Sequence, residues 1–201
     1  MKRITSEISK GTVLVSDGAW GTFLQKRGLK PGECPELWCL EHRDVVSEIA
    51  ENYIKARARL VKTNSFGANR FKLEHFGLVE KALELNRAAA AISRLAAGKD
   101  SFVMGSMGPT GKILLMGDVT EEQIYEAFKI QAQGLEEGGA DACLIETMSA
   151  IDEATIAVKA AKENTKLEII TTFTFEKTVS GDYRTMMGVS PSDMAVAMLD
   201  A

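Results

Sequence analysis

The stretches IKARARLVKTNSFG (residues 54–67) and EEGGADACLIETMS (residues 136–149) read as two copies of one local plan. Each leaves an amphipathic helical pattern, passes a tight turn and enters a short apolar run, and the two superpose with Asn64 opposite Glu146. A repeated helix-turn-strand unit with a polar residue at the carboxyl end of its strand is the way a parallel βα fold builds a site. The copies conflict at one point. The later has Gly139 and Asp141 where the earlier has Arg57 and Arg59. Glycine is the usual residue to close a helix in the left-handed conformation, and arginine there costs roughly 1 kcal/mol if that conformation is kept.

The same alternation extends in both directions. Strand-length apolar runs are expected at Val13 to Ser16, Leu60 to Asn64, Phe102 to Gly105, Ala142 to Glu146 and Glu168 to Thr174. Between them apolar residues recur at helical spacing: Val45, Ile49, Tyr53; then Leu85, Ala89, Ile92, Ala96; then Ile124, Phe128, Ala132, Leu135. TEEQ (120–123), SAID (149–152) and SPSD (190–193) each place a hydroxyl at an expected N-cap, with an amide or acid three residues on. Pro191 suits a first helical position. The pattern predicts an α/β fold with a parallel sheet. A closed (βα)8 barrel takes about 250 residues, so a barrel reading makes the 201 residues one incomplete N-terminal domain of about five βα units, ending before a sixth strand.

Composition narrows the function. A net charge of -4 with no basic cluster argues against a nucleic-acid partner. No run of 18 apolar residues argues for a membrane, and the start MKRITSEISKGTVLV has no apolar signal core. Three scattered cysteines, Cys34, Cys39 and Cys143, fit a reducing compartment, and a cytoplasmic location is expected.

The expected carboxyl ends of the strands gather the residues that can do chemistry. They are Asp17-Gly18-Ala19 within VSDGAWGTFLQ (15–25), Thr63-Asn64-Ser65, the loop GSMGPTG (105–111), Glu146-Thr147, and 172–174. Two carboxylates, Asp17 and Glu146, with glycine N–H groups and no histidine suit a zwitterionic ligand: acids for an ammonium, backbone N–H for a carboxylate. Glu146 is equally readable as a structural acid paired with a neighbouring strand's lysine or arginine. GSMGPTG lacks the Lys-Ser/Thr ending of a phosphate loop. Cys34-x4-Cys39-x2-His42 has the look of half a metal site, with no second pair after it. Met186 and Met187 could flank a pocket or fill the core.

Taken in order, DGAWGT, TNSFGANR, GSMGPTG, LIETMSAIDEA and TFTFE resemble the homocysteine S-methyltransferase family from about residue 12 onward. The resemblance implies a (βα)8 barrel in which zinc binds the homocysteine sulfur as a thiolate, which takes a methyl group from a donor and becomes methionine. By position it implies that Asp17, Gly18 and Ala19 lie beside the amino-acid end of homocysteine and that Glu146 binds its ammonium. Trp20, Asn64 and the loop from Gly105 to Gly108 would line the pocket. The family's zinc ligands are three cysteines, one after the sixth strand and a pair after the eighth, and the resemblance places all of them beyond Ala201. None of Cys34, Cys39 and Cys143 matches them, so the resemblance assigns no catalytic residue and no metal ligand to these 201 residues, and implies that they are inactive alone. The donor would be methylcobalamin fed by methyltetrahydrofolate, betaine or S-methylmethionine. Two rivals are a corrinoid-linked methyltransferase with another acceptor, and a non-catalytic half-barrel that self-associates through its open edge.

Overall fold

Both copies of the repeat close their helices with the same pair of hydrogen bonds. Arg57 N donates to Ile54 O (2.8 Å) and Ala58 N to Tyr53 O (3.0 Å); Gly139 N donates to Glu136 O (2.9 Å) and Ala140 N to Leu135 O (3.0 Å). The turn residues are left-handed in each, with φ of 70° at Arg57 and 91° at Gly139. The earlier copy therefore keeps the conformation that glycine favours and bears the steric cost of a Cβ there.

The computed structural model describes residues 3–201. Helices α1 (Ile4–Ser9), α2 (Gly21–Lys26), α3 (Trp38–Glu41) and α4 (Arg43–Lys55) precede strand β1 (Leu60–Lys62). Helices α5 (Arg70–Glu74) and α6 (Ala82–Ala97) lead to β2 (Phe102–Met107), α7 (Glu121–Glu137) to β3 (Ala142–Met148), and α8 (Ile151–Asn164) to β4 (Glu168–Phe173). A hairpin of β5 (Glu176–Lys177) and β6 (Tyr183–Arg184) and helix α9 (Pro191–Asp200) follow. The first four strands form one parallel sheet in chain order, with Leu60 beside Phe102, Met104 beside Ala142 and Ala142 beside Glu168. No helix among the described residues is long and apolar enough to cross a membrane.

Period-2 alternation divides the strands between two cores. Val61, Val103, Cys143 and Ile145 face the helices, where Ile124, Phe128 and Leu135 of α7 are fully buried; each such side chain contributes about 1.5–3 kcal/mol. Phe102, Met104, Ala142 and Leu144 face the other way and pack with Leu14, Leu60, Ile170 and Ile4. Ile4 belongs to α1, which crosses the amino ends of the strands. Glu168 holds it there by accepting from Ile4 N (2.6 Å), Thr5 N (3.2 Å) and Thr5 Oγ1.

Two local expectations are corrected. The run from Val13 to Ser16 joins the sheet only through a single parallel bridge of Ser16 to Leu60, with Val15 O accepting from Arg59 N and Leu60 N. Only its Leu14 is packed; Val13 and Val15, on the helix side, are 84% and 60% exposed. The helix start at SAID falls one residue late: Ala150, whose methyl side chain can make no cap bond, is the N-cap of α8, and Ser149 O accepts from Thr185 Oγ1 (2.7 Å) outside the helix. The other two starts form full capping boxes, Thr120 with Gln123 and Ser190 with Asp193, each worth about 1 kcal/mol.

Candidate functional site

Strand β3 is bent where its chemistry lies. Its register with β4 shifts between Ile145 and Met148, and Thr147 has φ of 65°, an uncommon conformation for a β-branched residue. Such strain collects at functional sites. The bend turns Glu146 into a cavity of about 330 Å³ at the carboxyl ends of the strands, walled also by Trp20, Leu24, Glu36, Asn64, Phe66 and Ser106.

Glu146 Oε1 accepts from Ser106 Oγ at 2.5 Å, and Lys62 Nζ stands 3.8 Å from Oε2. Both readings of this acid are therefore present: it has a cationic neighbour from the next strand but one, and it faces a cavity. The pair is loose enough for Glu146 to accept a further donor. Hydroxyls order the floor. Ser106 N donates to Thr63 Oγ1 (2.9 Å), Thr63 and Ser65 hydroxyls share a hydrogen bond (2.6 Å), and Ser65 Oγ donates to Ser106 O (2.7 Å).

The remaining sequence-predicted residues divide. Trp20 and Asn64 are in the cavity wall; Asn64 Nδ2 donates to Pro35 O at 2.7 Å. Asp17 lies behind the wall, where Oδ2 accepts from Trp20 Nε1 and from Lys62 N, both at 2.8 Å. It fixes the indole against β1. Ala19 O accepts from Tyr53 OH (2.6 Å), and Gly18 packs under the same ring. Burial, then the Asp17 charge, pushes the Tyr53 hydroxyl pKa up. Gly105 faces Leu135 on the helix side, away from the cavity. Gly108 supports Phe66: a Cβ on it would stand 2.6 Å from ring carbons. Met186 and Met187 line a second cavity of about 440 Å³ that shares Phe66 with the first.

Sequence reasoning missed Glu36 and Lys62, while Ser106 lies within the loop from Gly105 to Gly108 that was expected to line the pocket. Glu36 is 6% exposed, and its Oε1 accepts from Gly67 N (2.7 Å) while Oε2 accepts from Cys34 Sγ (3.3 Å). It sits on a 3₁₀ turn, Pro35–Leu37, in a segment with no strand pattern to aim it. Lys62 and Ser106 carry the period-2 signal that places them, Lys62 beside the expected strand end and Ser106 one residue past Gly105.

The three cysteines do not fit a zinc site. Burial pushes the Cys34, Cys39 and Cys143 thiols up to about 12, with the Glu36 charge also raising Cys34. Cys39 donates to Asn64 O (3.4 Å), and His42 lies tilted by 48° against Trp38 with ring centroids 4.4 Å apart. No group of three or more His, Cys, Asp or Glu among the described residues is arranged to hold a metal ion. Ala201, the residue beyond which the resemblance places the zinc cysteines, takes no part in the cavity wall. It is the C-cap of α9, with its N donating to Ala197 O (3.1 Å) and its O accepting from Lys162 Nζ of α8 (2.9 Å).

A parallel α/β sheet with a polar cavity at the carboxyl ends of its strands defines the class. Comparison with known proteins then gives the family. Residues 14–201 match the family described as homocysteine S-methyltransferase, and the chain belongs to it. The chain is 34% identical over 164 residues to the methionine synthase of Mycobacterium tuberculosis, covering 75% of this chain but 14% of that protein. It is 28% identical over 206 residues to betaine–homocysteine S-methyltransferase 1 of Sus scrofa, covering 100% of this chain and 71% of that one. Among solved structures it resembles the homocysteine methyltransferase MmuM of Escherichia coli. The oxidized form gives a TM-score of 0.80 at 22% identity, covering 98% of this chain and 72% of that one; the apo form gives 0.75 at 21%, with 96% and 70% covered.

Proposed function

We propose that this chain is the homocysteine-binding part of a homocysteine S-methyltransferase, an incomplete (βα)8 barrel of about five βα units. The carrying observation is Glu146, bent into the cavity with one Ser106 hydrogen bond and a loose Lys62 contact. Homocysteine is an amino acid with a short apolar arm. Glu146 would receive its ammonium, Lys62 its carboxylate, and Trp20 and Leu24 its methylenes. Asp17, Gly18 and Ala19 contribute by holding Trp20 in place. Glu36 and the Thr63, Ser65 and Ser106 hydroxyls keep the floor rigid.

Support for an incomplete barrel comes from the open sheet, which ends at the Ser16 bridge on one side and at β4 on the other. The similar MmuM structures also extend beyond the matched part. Since the cysteines present do not fit zinc, activation of the homocysteine thiol is not assigned to any residue of this chain. Betaine, S-methylmethionine and a methylcobalamin system fed by methyltetrahydrofolate are the proposed donors, and three free thiols fit a cytoplasmic setting.

The test is methionine formation from homocysteine with each donor and added zinc, together with homocysteine binding. This account expects binding without turnover by the 201 residues. Turnover by them alone, or no binding, contradicts it. A second reading, association through the open edge, rests on exposed Val13 and Val15 and on Val196 and Leu199 of α9, 61% and 86% exposed. Size-exclusion chromatography decides it: a concentration-dependent dimer supports association, and a clean monomer removes it.

A further inference from the structure

Strand β3 carries one residue more than the strand beside it. Ile145 stands beside Thr171 and Met148 beside Phe173, so Glu146 and Thr147 together stand opposite the single residue Thr172. This is a β-bulge, a feature rare between parallel strands and over-represented next to active sites, where it re-aims a side chain. The packing records the extra residue. Ile145 and Met148, three apart, are both fully buried in the helix-side core, whereas strict alternation would put them on opposite faces of the sheet. The two residues between them both open onto cavities. Glu146 lines the one assigned to homocysteine, and Thr147 lines the neighbouring one of about 440 Å³.

Thr147 has φ of 65°, which a β-branched residue adopts only where its surroundings enforce it. Both Thr147 and Thr172 are exposed, so the packing of their own side chains does not enforce the turn. A hydrogen bond does: Thr147 N donates to Thr172 Oγ1 at 3.2 Å. The residue opposite the bulge thus supplies an acceptor from its side chain. Just beyond, the pairing of the two strands resumes, with Thr174 N donating to Met148 O at 3.0 Å. On the other side of the bulge, Glu146 Oε1 accepts from Ser106 Oγ at 2.5 Å.

We infer that Thr172 is a positioning residue for the ligand cavity: by accepting from Thr147 N it holds the bulge whose other member, Glu146, is aimed at Ser106 and at the ligand. The inference rests on the assignment of that cavity to homocysteine. Without the Thr172 acceptor, Thr147 returns to ordinary extended backbone, and Glu146, joined to it by one peptide bond, turns with it. The fraction of molecules with Glu146 in place falls, and the apparent affinity falls with that fraction.

The test is calorimetric titration with L-homocysteine of the unaltered chain, Thr172→Val, Thr172→Ser and the double variant Thr172→Val with Thr147→Gly. Valine keeps the shape of threonine and suits a strand but removes the acceptor, and should weaken binding about threefold to tenfold. Serine keeps the hydroxyl and should keep the affinity. Glycine takes the left-handed conformation without a steric penalty, so Thr147→Gly should restore most of the affinity that Thr172→Val loses. A purely structural Thr172 would lower the melting temperature of Thr172→Val and leave its affinity for homocysteine as it was. That result overturns the proposal, and so does a loss that Thr147→Gly does not repair. A crystal structure of Thr172→Val without ligand separates the proposal from the assignment of the cavity: Thr147 should have lost its positive φ and Glu146 its bond to Ser106. If both are retained the proposal is overturned, whether or not the unaltered chain binds homocysteine, whereas absence of binding by the unaltered chain overturns the assignment of the cavity and leaves that structure to decide the role of Thr172.

Discussion

Arg57 and Gly139 stand at the same point of the two repeat copies, and both are left-handed, with φ of 70° and 91°. The turn hydrogen bonds are the same in each, so geometry was kept while the residue that suits it was not. Arg57→Gly should therefore stabilise the chain by about 1 kcal/mol, a gain read from the urea midpoint. An unchanged or lower midpoint would mean that the turn relaxes elsewhere. Homocysteine affinity should not move, since Arg57 lies at the amino end of β1, far from the cavity.

Phe66 is held over Gly108, where an added Cβ would stand only 2.6 Å from its ring. Gly108→Ala must displace the ring that walls both cavities. It should cost about 1–3 kcal/mol of stability by overpacking and weaken homocysteine binding. Gly111→Ala, at φ of 78°, should cost stability through strain while leaving that affinity unchanged, which separates the two effects by calorimetry.

Glu153 accepts from Thr110 N (2.7 Å) and Thr110 Oγ1 (2.5 Å) in a buried place, and burial pushes its carboxyl pKa up in spite of those bonds. A raised folded-state value means the folded form binds the proton more tightly than the unfolded chain. Its contribution therefore falls as pH rises. Glu153→Gln, which keeps an acceptor for Thr110, should gain stability relative to the unaltered protein as pH rises above the ordinary carboxylate range. A difference that stays flat with pH would show that the carboxylate is ionised throughout.

All three thiols lie up to about 12 through burial. A thiol-specific disulfide reagent at about pH 8 should label none of them in the folded chain and all three in urea. Fast labelling of Cys34 or Cys39 without denaturant would contradict the packing described.

The parallel repeat was legible because period-2 and period-3.6 patterns report burial, and burial fixes this sheet. Glu146 was legible as a strand-end acid, but the bend at Thr147 that aims it was not, since nothing in a β-branched residue announces a positive φ. The strand at Val13 was over-read: its apolar run is real, yet with one neighbouring strand Val13 and Val15 have nothing to pack on. Asp17 was read beside the ligand both as a strand-end acid and by resemblance; its hydrogen bonds, from Trp20 Nε1 and Lys62 N, depend on a local fold that the sequence does not show. Glu36 was invisible because a 3₁₀ turn gives no periodicity to read.

The most direct measurement is calorimetric titration of this chain and of Glu146→Gln with L-homocysteine. Removing a charged acceptor for an ammonium should weaken binding about tenfold to a hundredfold, with the melting temperature of the free protein little changed. Equal affinity for both proteins, or none for the unaltered chain, would contradict the assignment of this cavity to the amino acid.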